Sequence, residues 1–283
     1  MIFIRNLDFG YPQKPSIFID LEWQASSGSV IGLLGKNGTG KSTFLRILAG
    51  LLFPKRGEIK LMGENPFDRR PAFLEQVFFI SEEIKLPLDL RIESYKNLYA
   101  NFYPLFASEK FNQILEDFGL RGSSKIGNLS FGQRKKVQIA FALSTGCKLL
   151  LFDEPTNGLD IPSKKAFRKI VAGSITDEQT LLISTHQVKD VERLIDRVMI
   201  LSEGQIKLDV DLIDMGCNYS FGKASEAPPN AVFTEDNLTS VSFIAPKESG
   251  EEPSDVNLEL LFNAVIAGKM ISKSSAILKF STP

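Results

Sequence analysis

Near the start of the chain, "IFIRNLDFGY" and "IFIDLEW" alternate apolar with polar positions, and "YPQKP" separates them. Alternation of this kind marks half-buried strands, so an antiparallel, hairpin-like β region is expected first. "SVIGLLG" differs: it is nearly all apolar and ends in glycine, as a strand covered on both faces of a parallel sheet does. "KSTFLRILAGLL" then has helical spacing, stopped by Gly50 and "FPKRG", and "GEIKLMGE" reads as another exposed strand. From Leu90 to about Leu120 the pattern is helical and aromatic, with "IESYKNLYANFYPLF" interrupted at Pro104 and "SEKFNQILEDFGL" opening on a cap at Ser108. This predicts a helical lobe over about 90–145. "KKVQIAFALSTG", "KLLLFDEP", "IPSKKAFRKIVAG", "TLLISTH" and "VKDVERLIDRVMIL" then alternate helix and strand, which calls for a parallel α/β sheet with right-handed crossovers. After about Gly204 polar loops, short strands and one amphipathic helix from about Asp255 suggest a small α+β appendix. The expected division is 1–210 for the main domain and 211–283 for an accessory region.

A chain of 283 residues can bury a full core with room left over. Hydrophobic residues at 43% and charged ones at 24% are ordinary globular usage. The net charge of -1 supplies no basic field, so nucleic acid is not an expected partner. No apolar run approaches the roughly 20 residues of a spanning helix, and Arg5 and Asp8 break up "MIFIRNLDFG", so neither a span nor a signal peptide is expected. Cys147 and Cys217 lack metal-type spacing, and Cys147, beside a buried-looking strand, reads as core packing. A cytoplasmic setting fits.

Chemistry concentrates in "GKNGTGKS", residues 35–42, placed between a buried strand and a helix. Gly35, Gly38 and Gly40 let the backbone N–H groups of this loop, with Lys36, Asn37 and Thr39, turn toward one anion, and the helix N-terminus at Lys41, Ser42 and Thr43 adds its dipole. Lys41 is placed to reach the β and γ phosphates of a nucleotide, and the Ser42 hydroxyl to ligate Mg2+. Asp153 ends a buried strand, where a carboxylate needs a cation or donors, and Mg2+ shared with Ser42 supplies one. Glu154 follows directly and is the candidate base for an attacking water. His186, the single histidine, ends the apolar strand "TLLIS" and is expected near the γ phosphate in a polarising or positioning role. A second helix start, "LSFGQRKKVQIA", places Ser130, Gly132 and Gln133 where phosphate is often held.

"GKNGTGKS", "LSFGQ", "LLLFDEP", "NGLD" and "STH", in this order, resemble the Walker A, signature, Walker B, D-loop and H-loop of ABC-type ATP-binding cassettes. The resemblance spans about the first 210 residues and implies a P-loop NTPase core of the α/β class, with the parallel sheet, N-terminal antiparallel β region, inserted helical lobe and C-terminal α+β appendix described above. It implies ATP and Mg2+ as cofactors and a head-to-tail pair, with a second copy or a related cassette, in which Ser130, Gly132 and Gln133 serve the partner's nucleotide. It also implies that Tyr11 stacks on adenine and that Asp160 helps organise the opposite site. The signature departs from the usual LSGGQ by Phe131. In "VFFISEE", Glu82 falls where a Gln that touches Mg2+ is usual, with Glu83 the alternative if the loop is shifted by one. Such subunits usually power a separate integral membrane permease from the inner face of the membrane, and the aromatic lobe is where it would dock. The lobe and "DVNLELLFNAVIAG" look similar to exporter-type single-cassette ATPases. The rival reading is a non-transport cassette, a nucleotide-switched module acting on ribosomes, DNA or a membrane protein that it regulates.

Overall fold

The computed structural model describes residues 1–248 and 252–269; the end of the expected accessory region, 270–283, lies outside the described residues. In chain order the strands and helices begin with β1 (Ile2–Phe9), β2 (Phe18–Ala25), β3 (Val30–Leu34), α1 (Lys41–Leu48), β4 (Arg56–Leu61), α2 (Pro71–Leu74) and β5 (Val77–Ile80). The lobe follows as α3 (Ile92–Tyr99), α4 (Ser108–Asp117) and α5 (Phe131–Ser144). Then come β6 (Leu149–Asp153), α6 (Ile161–Ala172), β7 (Thr180–Thr185), α7 (Val188–Val191), β8 (Arg197–Ser202) and β9 (Gln205–Asp211). The chain continues through α8 (Leu212–Asn218), β10 (Tyr219–Ala224), β11 (Phe233–Asp236), β12 (Val241–Pro246) and α9 (Leu258–Ile266).

The central sheet has the order β5-β6-β7-β3-β8-β9. Its strands carry continuous apolar runs because each face meets a different core. In β3, Ile31 and Leu33 join Phe18, Trp23 and Phe44 of the antiparallel side, while Val30 and Leu34 join the helices of the other. β6 divides likewise, with Leu149 and Leu151 on one side and Leu150 and Phe152 on the other. The expected parallel sheet is present, and at one edge β9 is added antiparallel to β8. Glu203 and Gly204 both take positive φ, 52° and 71°, and so turn the chain straight back as a tight hairpin instead of a crossover.

β2-β1-β4 forms the expected antiparallel sheet, and β10-β12-β11 a second one near the C-terminus. α9, capped by Asn257, buries Leu258, Leu261 and Ala264 in the same core as the main sheet. In the lobe, Tyr95, Tyr103, Phe106 and Phe111 gather around Phe141 of α5 with ring centroids 4.9–6.1 Å apart. Leu88, Leu98, Tyr99, Phe102 and Leu105 stay exposed. The aromatic run thus splits between core and surface. The cap expected at Ser108 is also corrected: Ala107 is the N-cap and Ser108 the first helical residue, with no side-chain cap. The N–H of Ala107 donates to the Ser144 carbonyl at 2.8 Å, so the end of α5 fixes where α4 begins.

Candidate nucleotide site

The loop between β3 and α1 is shaped by two features. Gly40, the left-handed N-cap of α1 with φ 104°, has no room for a side chain, since a Cβ would lie 2.9 Å from the Phe18 ring. Lys41 is buried, and its Nζ donates to the carbonyls of Gly35 at 2.7 Å and Lys36 at 3.2 Å, closing the loop into a ring. Burial lowers the pKa of this ammonium, while Glu154, Asp153 and Glu82 pull it back up. A buried cation ringed by backbone groups at a helix N-terminus is suited to a polyphosphate.

Below it, Asp153 Oδ1 accepts from Ser42 Oγ at 3.0 Å and from Ser184 Oγ at 2.6 Å. Its other oxygen, Oδ2, is buried with no hydrogen-bond partner. Such an oxygen is costly unless a cation meets it. Hydroxyl and carboxylate oxygens form a hard donor set that fits Mg2+, an ion that completes its shell with phosphate oxygens and water.

Glu154 is buried and sits at φ 47°, an unusual conformation for this residue type. Its Oε1 accepts from the His186 backbone N–H at 3.1 Å and lies 2.7 Å from His186 Nδ1. Oε2 is buried without a partner. His186 therefore bears on the carboxylate itself, through one oxygen, while the other has no hydrogen-bond partner among the described residues.

Glu82, rather than Glu83, faces this cluster. Asn157 Nδ2 donates to Glu82 Oε1 at 3.0 Å, whereas Glu83 reaches out to Lys85 in solvent. Asn157 in turn accepts from Gln187 Nε2 at 3.1 Å, next to His186. Lys135, 0% exposed, donates from Nζ to the Glu82 carbonyl at 3.1 Å. Sequence reasoning missed Ser184, Gln187 and Lys135 as parts of the site. Lysine is almost never fully buried, so "RKK" offered no signal that its middle residue points inward.

Of the other expected residues, Tyr11 reaches the start of α1, whereas Asp160 and Ser130 cap other helices. The Tyr11 hydroxyl is 3.2 Å from Thr43 Oγ1, and its ring packs edge-on against Phe9 at 5.2 Å. Asp160 caps α6, accepting from the Ser163 N–H at 2.9 Å, and hydrogen bonding from the Ser163 side chain first and its backbone second holds the carboxyl below the usual range. Ser130 caps α5 in a reciprocal pair: its Oγ accepts from the Gln133 N–H at 3.2 Å, and Gln133 Oε1 accepts from the Ser130 N–H at 2.9 Å. Ser130 is exposed, and its side chain bonds to none of the loop, Asp153 or Glu154 groups.

Phe131 packs its ring against Gly158, at φ 79°, where a Cβ would come within 2.6 Å of the ring. Gly158→Ala is therefore expected to destabilise the fold by about 1–3 kcal/mol, combining left-handed strain with displacement of the ring. Chemical denaturation would measure it, and Phe131→Ala in the same chain should recover part of the loss. Equal stability of Gly158→Ala and the native chain would contradict this packing.

Strand, phosphate loop, helix, a buried Asp beside a Ser hydroxyl and a Glu held by a histidine define a nucleotide-binding α/β protein of the P-loop type. A sequence profile of the ABC transporter family matches residues 18–157. The chain is 35% identical over 216 residues to an uncharacterized ABC transporter ATP-binding protein, YdbJ, of Bacillus subtilis (strain 168), covering 75% of this chain and 70% of that one. It is 33% identical over 212 residues to the lantibiotic transport ATP-binding protein SrtF of Streptococcus pyogenes, covering 74% and 90%. A dimeric bacterial ABC transporter cassette superposes with a TM-score of 0.65 at 22% identity, covering 75% of this chain and 99% of that one. The chain belongs to the ABC transporter family and is its ATP-binding subunit, an ATPase. No described helix is long and apolar enough to cross a membrane.

Proposed function

We propose that two copies of this chain, or this chain and a related cassette, close head to tail around two Mg-ATP and drive a separate integral membrane permease. The observation that carries the shared site is the N-terminus of α5. It is an exposed, anion-ready helix start whose Ser130 side chain is bonded to its own cap and to no group of its own phosphate loop. Capping uses Ser130 Oγ as an acceptor, which leaves the hydroxyl proton and the Gly132 N–H for an anion that arrives from a second subunit. The dimeric state of the superposed cassette supports the same reading.

In this reading Lys41 and the loop hold the β and γ phosphates; Ser42, Asp153 and Glu82 hold Mg2+, which supplies charge neutralisation when bound. Glu154 takes the proton of the attacking water, and His186 keeps its carboxylate in place. Tyr11 lies against adenine, and Asp160 organises the partner's site through α6. The exposed apolar side of the lobe, Leu98, Tyr99, Phe102 and Leu105, suits a permease. The chain would then work as a peripheral protein on the cytoplasmic face of the membrane. Export is the favoured direction, supported by the lobe and C-terminal resemblance and by a relative named for lantibiotic transport. The described residues beyond 210 are read as the accessory region, anchored to the main core through α9.

Mixing two impaired chains, Lys41→Ala and Ser130→Arg, tests the shared site. In a mixed head-to-tail pair one site carries both defects and the other is native, so the mixture is expected to hydrolyse ATP faster than the sum of its two parts. Activity no higher than that sum would contradict it.

A further inference from the structure

Lys135 lies one turn beyond Phe131 on α5, on the same helix face, and its Nζ is 5.9 Å from the centroid of that ring. The side chain runs inward from the signature helix to the loop after β5, where its ammonium meets the Glu82 carbonyl at 3.1 Å. Burial lowers the pKa of this ammonium, while the carboxylates of Glu82, Asp153 and Glu154 pull it back up. Glu82 itself hangs on a neutral amide, Asn157. The extra negative charge that Glu82 brings therefore has, besides Lys41, a second buried counter-charge on the helix that carries the signature. Removing it would leave the three carboxylates with Lys41 alone.

We infer that Lys135 is a positioning residue for ATP hydrolysis: it ties the signature helix to the Glu82 loop and, with Lys41, balances the Glu82 charge, so that the signature offered to the partner and the chain's own Glu82 loop are set together. The inference rests on the dimeric reading above. It also bears on the carboxylate at position 82, since a neutral residue at 135 would leave Glu82, Asp153 and Glu154 only the Lys41 charge between them.

The test is a cycle of Lys135→Met and Glu82→Gln, alone and combined, with Lys135→Arg as the charge-keeping variant. Steady-state ATP hydrolysis with Mg2+ titrated, and thermal unfolding without nucleotide or Mg2+, are the two readouts. Lys135→Met is expected to lower kcat about tenfold or more with little change in KM. Adding Glu82→Gln should recover a substantial part of both kcat and Tm, and Lys135→Arg should retain more activity than Lys135→Met. Effects that simply multiply on kcat and add on Tm would overturn the inference, as would a loss expressed only in KM. Because the unfolding cycle needs neither nucleotide nor dimer, its outcome is separate from that of the Lys41→Ala and Ser130→Arg mixture: no gain on mixing would remove the shared site and leave the charge coupling to stand or fall on Tm.

Discussion

Glu154→Gln is expected to keep ATP bound and to hydrolyse it about 10²–10⁴-fold more slowly, the span contributed by a positioned general base. Gln preserves the shape of the side chain and the acceptor for the His186 N–H, so the left-handed turn and the strand end at Asp153 should survive. It removes the proton acceptor and one negative charge beside the phosphates. ATP affinity should accordingly be equal or higher, and an ATP-bound dimer should accumulate because hydrolysis no longer dissolves it. Single-turnover hydrolysis beside equilibrium nucleotide binding separates the two effects. Normal turnover in this variant would remove Glu154 as the base.

The second large effect is expected at Lys41→Ala. Its ammonium is the buried positive charge that closes the phosphate loop onto Gly35 and Lys36. Losing a charged hydrogen-bonding partner of the phosphates costs about 1.5–3 kcal/mol, roughly ten- to 150-fold in Kd. The defect should therefore lie in binding itself, unlike that of Glu154→Gln. Titration of a fluorescent ATP analogue would measure it, with Lys41→Met as a bulkier control for collapse of the loop. Undiminished ATP affinity would contradict the phosphate-loop assignment.

Much of this arrangement was legible because it obeys local rules. β3 and β6 announce themselves by apolar runs with no alternation, which follows from cores on both faces. The motif residues sit at strand ends and helix starts, where chemistry and backbone geometry coincide, and so Lys41, Ser42, Asp153 and Glu154 could be placed by number. What the sequence did not disclose depends on contacts between distant segments. Ser184 lies inside "TLLISTH", yet only the pairing of β6 with β7 brings its hydroxyl to Asp153. The four residues of β5 are too short a run to stand out from the loop around them. The reversal at β9 depends on left-handed backbone at Glu203, a residue type that does not advertise it. In the lobe, periodicity could not tell Tyr95, packed on Phe141, from Phe102, left on the surface.

The central claim is that ATP joins two cassettes, each signature serving the other's nucleotide. The most direct measurement is sedimentation of the Glu154→Gln chain with Mg-ATP, with ADP and without nucleotide, beside the same chain carrying Ser130→Arg. The account predicts a doubling of mass with ATP alone, abolished by Ser130→Arg. A particle that stays monomeric with ATP bound, or a dimer indifferent to both the nucleotide and Ser130, would contradict it.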